Sequence, residues 1–317
     1  MIAASCWTWD IDPIILKIYG PIQLRWYGLC FLGVFLGGWW MLRWQLRRAE
    51  ALRAHPGAAD ELAGRFINYG VIGTLAGAWF GHRFFYEPAK ILENPMYLID
   101  VSGGLAGLSS HGAAAGLMVA IVLFARKYRI PVGEVFDRFV FAMAPAVSLV
   151  RLGNFFNSEV VGRPADVDWA VCLARYDCPP DGVCKATQEL VARHPSQLYE
   201  ALIGVGLLII LVLADRWAGK EKRPRWLMFG VFTIFYAITR FVIEYFKNYQ
   251  ALTSDASALT MGQYLSIPLF LLGCTMTWWA MRQKTAMEWS WHPPAKWLQE
   301  GASSGGGKRT KKKKRRR

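Results

Sequence analysis

The chain has 317 residues, of which 54% are hydrophobic and 14% aromatic, and its mean hydropathy is +0.20. A soluble domain of this size carries less apolar sequence, so the composition excludes an ordinary globular domain and favours a membrane protein with several spans. The net charge of +14 does not indicate a nucleic-acid partner, because nine of the positive charges lie in Lys308–Arg317. We therefore expect no nucleic-acid binding.

Seven apolar segments are predicted to span a membrane, so the expected fold is an all-α polytopic membrane protein. The third and fourth segments are shorter than the roughly 20 residues that a full helical crossing needs. In chain order the segments are Trp26–Leu42, Phe66–Phe85, His111–Ala125, Phe139–Leu152, Leu198–Leu213, Trp226–Phe246 and Tyr264–Met281.

These segments define the predicted domain organisation. Residues 1–285 are expected to form one seven-span membrane domain, which includes residues 154–197 as a small loop domain between spans four and five. Residues 286–317 are expected to be a disordered basic tail. Two roles for the tail stay open, a solvated segment or contact with anionic lipid headgroups.

Lys and Arg side chains are concentrated in alternate loops, and this pattern predicts the orientation of the chain in the membrane. By the positive-inside rule, the loops richest in these residues and the basic tail lie in the cytoplasm, and the N-terminus and residues 154–197 lie outside. All polar clusters described below then lie toward the outer leaflet. The basic residues are Arg43, Arg47, Arg48, Arg53 and Arg65 in the first loop, Arg126, Lys127 and Arg129 in the third, and Arg216, Lys220, Lys222, Arg223 and Arg225 in the fifth.

Three cysteines fall in the predicted outer loop. Cys172, Cys178 and Cys184 are spaced six and six residues apart, which is not a zinc-binding pattern. A disulfide within this loop is expected if it faces an oxidising compartment, and the odd number leaves at least one of the three unpaired.

Glycines recur every four residues and predict close packing of helices. Gly73, Gly77 and Gly81 form one such series, and Gly33 with Gly37 and Gly112 with Gly116 form two shorter ones. The run Gly103–Gly107 lacks the Gly-Lys-Ser/Thr ending of a phosphate loop. We expect it to let the backbone dip into the membrane ahead of His111.

Ionisable residues occur in three of the apolar segments. Arg151, Asn154 and Glu159 cluster at the end of the fourth segment, His111 begins the third, and Arg240 and Glu244 lie in the sixth. Unpaired polar groups cost several kcal/mol in the hydrocarbon, so such residues mark a functional site by default. We predict one polar site that these segments build together.

The arginines suggest the chemistry of that site. Tyr236, Arg240 and Glu244 are spaced to lie on one helix face, where Arg240 and Glu244 alone would be read as a structural ion pair. A second guanidinium at Arg151 argues against that reading, because two neighbouring guanidiniums repel unless an anion bridges them. Arginine binds phosphate through a planar fork of donors. A phospholipid phosphate is the anion expected at that depth.

His111 has two interpretations. Ser109 and Ser110 precede it and could cap a helix that starts here, in which case the histidine is only structural. Alternatively, its neutral imidazole accepts a proton near pH 7. No metal-binding spacing accompanies it, and the chain lacks a Gly-x-Ser-x-Gly elbow, so neither a metal site nor a serine hydrolase is expected.

Several motifs together resemble those of the prolipoprotein diacylglyceryl transferase family. The similarity covers nearly the whole chain except the loop at Cys172–Cys184 and the residues after about Lys284. The matching runs are Arg25–Leu29, Gly104–Gly116, Arg151–Arg163, Arg193–Glu200 and Tyr236–Lys247.

The resemblance implies a seven-span enzyme of the bacterial inner membrane. It would transfer the diacylglyceryl group of phosphatidylglycerol to the lipobox cysteine of prolipoprotein signal peptides, releasing glycerol 1-phosphate. Its partners would be these two substrates and the surrounding membrane lipids, and the chemistry requires no metal or organic cofactor. A nearby base would raise the thiolate fraction of a thiol whose ordinary pKa is about 8.5.

The resemblance also implies site residues. The catalytic residues would be His111, Arg151 and Arg240. Six further residues would bind substrate or support the site, namely Tyr27, Asn154, Glu159, Gly162, Tyr236 and Glu244. The chain departs from the family pattern at Ser158, where a glycine is common, at Ala113, where a second glycine is common, and at Trp79, where a basic residue is common.

Two other classes of function remain open at this point. A transporter for an anionic solute or lipid also uses buried arginines, but it usually shows matching halves with broken helices, and no such repeat is evident. A purely structural membrane protein leaves the arginines unexplained.

Overall fold

The computed structural model describes residues 6–19, 22–53, 55, 57–100, 108–178, 190–248, 258–283 and 291. It is mostly helical, and each of the seven predicted segments lies wholly or largely in a helix. The helices are α1 (Trp26–Arg48), α2 (Ala58–Tyr86), α3 (Pro88–Glu93), α4 (Ser110–Lys127), α5 (Val132–Phe156), α6 (Ala174–Asp177), α7 (Ser196–Trp217), α8 (Leu227–Ile243) and α9 (Met261–Arg282), with 3₁₀ turns at Glu50–Leu52, Pro95–Ile99 and Lys220–Lys222.

Three of the described helices are long and apolar enough to cross a membrane, judged by length and composition. These are α5, α7 and α9, whereas α8 is apolar but shorter. The predicted fourth span, Phe139–Leu152, is therefore too short, because α5 begins at Val132. The first two turns of α5 carry the charged residues Glu134, Asp137 and Arg138, which the predicted boundaries place in a loop.

The chain divides into two compact units. Among the described residues, the first unit comprises those within 6–68 and 133–283, and the second comprises those within 69–132 together with Trp291. In the first unit, apolar side chains of α5, α7, α8 and α9 form a buried cluster. Its members are Val140, Phe141, Ala144, Leu207, Leu211, Leu227, Met228, Phe232 and Ala280.

Two helix starts in the first unit show how polar groups fix the helix ends. Thr260 and Gln263 form a reciprocal capping box at the start of α9, which satisfies backbone N–H groups that have no partner within the helix. At the start of α8, the carboxylate of Asp137 on α5 accepts hydrogen bonds from the N–H groups of Trp226 (2.6 Å) and Phe229 (2.8 Å). One helix therefore caps another.

A small sheet adjoins the C-terminal end of α5. Strand β1 (Trp7–Trp9) pairs in parallel with β4 (Val171–Leu173), and β4 pairs in antiparallel register with β5 (Ala192–Arg193). Trp9, Val171 and Leu173 form a second buried cluster with Phe155 and Val161. The sheet thus packs on the end of α5. Strands β2 (Ile14–Tyr19) and β3 (Ile22–Arg25) form a separate antiparallel pair that leads into α1.

The sequence left the pairing of the three loop cysteines open, and the structure shows that Cys172 is not paired within the loop. Its partner is Cys6, 166 residues away in sequence, with the two Cα atoms 5.7 Å apart. The parallel pairing of β1 with β4 brings these residues together, and sequence spacing alone does not reveal that pairing. Cys178 is also disulfide-bonded. Cys184 lies outside the described residues, as does most of the predicted tail.

The second unit confirms the close packing predicted from its glycines. A Cβ atom placed on Gly77 of α2 would lie 2.3 Å from the carbonyl oxygen of Gly112 on α4, and one on Gly116 would lie 2.1 Å from the carbonyl oxygen of Gly73. Only glycine permits so close an approach of two backbones. In the first unit, Gly33 approaches Leu149, but Gly37 has no neighbour within 4 Å of such a Cβ atom among the described residues.

Trp79 is buried in the second unit. Its Nε1 donates to the carbonyl oxygen of Leu98, and the guanidinium of Arg83 lies 3.3 Å from the centre of its ring. Arg83 also donates to the carbonyl oxygens of Tyr97 and Asp100. Arg83, one helical turn after Trp79, therefore places a positive charge beside the Trp79 ring.

Candidate functional site

The last turn of α5 carries the first part of the predicted site. Nη1 of Arg151 donates to Oδ1 of Asn154 (3.2 Å), and Nδ2 of Asn154 donates to Oε1 of Glu159 (2.6 Å). The buried Asn154 amide therefore links the arginine to the carboxylate and fixes the orientation of both. Phe155 and Val161 anchor this segment in the cluster under the small sheet.

The turn after α5 contains two residues in the left-handed backbone region, Ser158 (φ 52°) and Val160 (φ 57°). This conformation costs non-glycine residues about 1–2 kcal/mol and is rare for a β-branched one. Glycine is the residue that this backbone conformation suits best. The turn brings Glu159 back toward Asn154, and Nε2 of Gln197 donates to the Glu159 carbonyl oxygen (2.9 Å).

The start of α7 supplies a carboxylate that the sequence did not single out. Oε2 of Glu200 forms an ion pair with Nε of Arg151. Oε1 of the same carboxylate lies 3.1 Å from Nζ of Lys247. Glu200 therefore joins the end of α5 to the segment that follows α8.

The C-terminal end of α8 carries Arg240 and Glu244. Nη1 of Arg240 lies 2.9 Å from Oε1 of Glu244, as expected for residues four apart in sequence. The other carboxylate oxygen accepts a hydrogen bond from the hydroxyl of Thr260 (3.1 Å). Glu244 is the C-cap residue that directly follows α8, so its side chain is held between this helix and the start of α9.

Lys247 connects the two ion pairs. Its Nζ lies 3.8 Å from Oε1 of Glu244 in addition to its contact with Glu200. Burial lowers the pKa of the Lys247 ammonium below its ordinary value, and the neighbouring Arg240 and Arg151 lower it further, whereas Glu200 and Glu244 raise it. The five side chains Arg151, Glu200, Arg240, Glu244 and Lys247 form one continuous network, hereafter the site cluster.

Gly162 sits where two chain segments meet. It forms an isolated β-bridge with Lys247, and a Cβ atom at this position would lie 2.1 Å from the carbonyl oxygen of His194. Any larger residue would push these segments apart. In the structure Gly162 therefore has a packing role, because it keeps the backbone of Lys247 in place.

The two predicted tyrosines have different surroundings. Tyr27 packs so closely on α5 that a Cβ atom at Gly153 would lie 2.8 Å from its ring. Tyr236 is stacked on Phe232, with the ring centres 5.8 Å apart, and packs against the apolar cluster of α5, α7 and α8. Tyr27 thus joins the Arg151 end of the site, and Tyr236 lies one turn before Arg240.

His111 belongs to the second unit, where it is the second residue of α4 and its side chain is exposed. The helix is capped by Ser109, whose hydroxyl accepts a hydrogen bond from the N–H of Gly112 (3.2 Å). Serine, and not the histidine, therefore satisfies the helix start. The run Gly103–Gly107, which was expected to dip into the membrane, lies outside the described residues.

The structure revises one argument made from the sequence. The two arginines do not depend on an external anion, because Glu200 pairs with Arg151 and Glu244 pairs with Arg240. The site cluster contains three cations and two carboxylates, so it retains a net charge of +1. The guanidinium groups are partly exposed, with side-chain exposures of 21% for Arg151 and 26% for Arg240. They are therefore available to bind an oxyanion such as phosphate.

Sequence reasoning missed Glu200 and Lys247. The sequence did hold a signal for both: Glu200 is an ionisable residue in the first turn of the fifth apolar segment, and Lys247 directly follows the sixth. Both lie within motifs noted above. As for metal binding, the described residues contain no group of three or more His, Cys, Asp or Glu side chains placed to hold an ion.

Known proteins resemble the chain over most of its length. Residues 13–279 match a family model described as prolipoprotein diacylglyceryl transferase. A phosphatidylglycerol--prolipoprotein diacylglyceryl transferase of Pseudoalteromonas translucida (strain TAC 125) is 38% identical over 277 residues, which are 87% of this chain and 95% of the relative. Proteins of the same name from Chromohalobacter salexigens (35% identical, 86% of this chain and 94% of the relative) and Phenylobacterium zucineum (34%, 87% and 95%) are similar to it as well.

Proposed function

The chain belongs to the prolipoprotein diacylglyceryl transferase family, and from this premise we propose that it catalyses the first step of bacterial lipoprotein maturation. The substrates are phosphatidylglycerol and the lipobox cysteine of a prolipoprotein. The cysteine sulfur forms a bond to the carbon of the diacylglyceryl group that bears the phosphate. The bond between that carbon and the phosphate oxygen breaks at the same time. The thiol proton passes to a base, and glycerol 1-phosphate leaves.

The observation that carries this proposal is the match to relatives of one name over 86–87% of the chain. The geometry of the site cluster supports it independently. Breaking the carbon–oxygen bond converts a phosphodiester with one negative charge into a monoester with more, so groups that bind the developing charge favour the transition state over the ground state. The partly exposed forks of Arg151 and Arg240 are suited to that task.

The remaining predicted residues have supporting roles in this proposal. Asn154 and Glu159 orient Arg151, Glu244 orients Arg240, and Gly162 keeps the two segments together. Tyr27 packs on α5 near Arg151, and Tyr236 lies one helical turn before Arg240. His111 is proposed as the base that takes the thiol proton, because its exposed imidazole is not used to cap α4.

The proposed setting is the bacterial inner membrane, crossed seven times, with the N-terminus outside and the site toward the outer leaflet. Seven helices at the predicted positions and the alternation of basic loops support this topology. The Cys6–Cys172 disulfide supports an outside location for the segments that carry it, because disulfides persist in oxidising compartments. Residues 1–285 would then form one catalytic domain followed by the basic tail.

A defined assay tests the function. The purified chain is given phosphatidylglycerol labelled in its headgroup glycerol, together with a lipobox peptide, and the release of labelled glycerol phosphate is measured with the mass of the peptide. We expect release that matches thioether formation, and no release with a peptide whose cysteine is replaced by alanine. Movement of label across a vesicle membrane without peptide modification would instead indicate a transporter.

A further inference from the structure

Lys247 is placed behind the arginines of the site cluster. Its side chain is 3% exposed, whereas those of Arg151 and Arg240 are 21% and 26% exposed. A buried ammonium is rare in proteins unless it is paired. Its partners are the two carboxylates that also pair with the arginines, so it faces those carboxylates and not the surface.

The backbone holds Lys247 from both sides. Nε of Arg163 donates to the Lys247 carbonyl oxygen (2.8 Å), and the N–H of Asn248 donates to the carbonyl oxygen of Val161 (3.0 Å). The bridge to Gly162 completes this pairing. A long, flexible side chain is therefore attached to a fixed point, which limits where its ammonium can go.

The ammonium divides the carboxylate oxygens between cations. Glu200 directs one oxygen to Arg151 and the other to Lys247, and Glu244 shares one oxygen between Arg240 and Lys247 while the other accepts from Thr260. Without the lysine, two carboxylates would face two guanidiniums and the network would be neutral. With it, the network carries one excess positive charge.

We propose that Lys247 is a positioning residue that shares the carboxylates of Glu200 and Glu244 with the two arginines and gives the site cluster the positive charge that binds the phosphate of phosphatidylglycerol. The proposal rests on the function proposed above and adds a residue to it. Lys247 does not touch the substrate; it acts through the two carboxylates.

The ionisation of Lys247 provides a distinctive readout. The charged groups that face it are Glu200 on α7, Glu244 and Arg240 at the end of α8, Arg151 on α5, and Arg163 beside its backbone. Because burial lowers its pKa, Lys247 loses its charge at a pH below that of an ordinary lysine. The phosphodiester does not titrate in this range, so binding should weaken as the pH rises through that value.

The experiment measures KM for phosphatidylglycerol between pH 7 and pH 10 at saturating lipobox peptide. Lys247→Met should raise KM at least tenfold at pH 7, with a smaller effect on kcat, and its KM should change little with pH. Lys247→Arg, which keeps the charge, should bind nearly as wild type at pH 7 and lose the alkaline rise in KM. Lys17→Met, at an exposed position on β2, is the matched control and should behave as wild type.

Several outcomes would overturn the proposal. One is a KM within twofold of wild type in Lys247→Met, and another is an alkaline rise in Lys247→Arg equal to that of wild type. The second result decides the matter even if the methionine variant does not accumulate in the membrane. If the wild-type chain releases glycerol phosphate and either result is found, only the role of Lys247 is excluded. If the wild-type chain releases none, the proposed function is excluded as well.

Discussion

Charged side chains form two clusters at opposite ends of α5 and α7. The site cluster lies at the C-terminal end of α5, and the other, hereafter the structural cluster, lies about 20 Å away along the same helix, given a rise of 1.5 Å per residue. The structural cluster consists of Arg48, Glu134, Asp137, Arg138, Asp215, Glu221 and Arg223.

The two clusters differ in how many carboxylates pair with each arginine: Arg48 is 21% exposed, like Arg151, but it lies near both Asp215 and Glu221. Arg138 is only 2% exposed, and its guanidinium bonds to Glu134, Glu221 and the carbonyl oxygen of Gln45. Arg151 and Arg240 are each paired with one carboxylate and remain partly exposed. A buried charge is therefore not in itself a sign of function. We infer that arginines paired on several sides hold helices together, whereas Arg151 and Arg240, each with one carboxylate partner, are the ones that bind a ligand.

The largest effect is expected at the open arginines. Arg240→Lys keeps the charge but removes the planar fork, and Arg151→Ala removes both, so each should reduce turnover about 100-fold or more. Headgroup release per inserted molecule measures this. Asn157→Ala, in the adjoining turn, serves as the control and should cost much less. Near-normal turnover in Arg240→Lys would exclude this residue from the phosphate role.

The structural cluster should respond in stability instead. Arg138→Met leaves the carboxylates of Glu134 and Glu221 without their central partner, and breaking a buried network in this way costs about 3–5 kcal/mol. The midpoint of thermal unfolding in detergent should fall, and less protein should accumulate. Turnover per folded molecule should stay near wild type. A specific loss of turnover at unchanged stability would contradict the division between the clusters.

A base at His111 would add a proton-transfer function that neither cluster supplies. His111→Gln cannot accept a proton near pH 7, so its residual activity should rise from pH 7 to pH 9 as the lipobox thiol ionises unaided near a pKa of about 8.5. The ratio of variant to wild-type kcat across this range is the measurement. A ratio independent of pH would leave His111 only a positioning role.

The smallest effect is expected in the turn beside the site cluster. Ser158 adopts a left-handed conformation, and its buried hydroxyl makes no hydrogen bond to the described residues. Ser158→Gly relieves the backbone strain but makes the unfolded chain more flexible, so the free energy of unfolding should stay constant or rise by up to about 1 kcal/mol. A fall of more than 1 kcal/mol would show that the serine side chain supports the turn.

The helices were predictable because apolar runs report directly on burial in a membrane. The start of α5 was missed because Glu134, Asp137 and Arg138 resemble loop residues in isolation. Only their partners on other segments, up to 93 residues away in sequence, make them compatible with a helix. The Cys6–Cys172 pair escaped prediction for the same reason.

The site was predicted in part. Arg151, Asn154 and Glu159 are neighbours in sequence and in space, as are Arg240 and Glu244, so their local motifs were informative. Glu200 and Lys247 come from separate motifs, and the contact that joins them is a product of the fold. Charge alone could not distinguish them from solvated residues at the ends of apolar segments.

The most direct test of the account is equilibrium binding of glycerol 1-phosphate, the expected product, to three forms of the purified chain. If the open arginines bind phosphate, wild type should bind it, Arg240→Lys should bind at least tenfold more weakly, and Arg138→Lys should bind as wild type among molecules that remain folded. Equal affinity in the wild type and Arg240→Lys, or a loss confined to Arg138→Lys, would contradict the account.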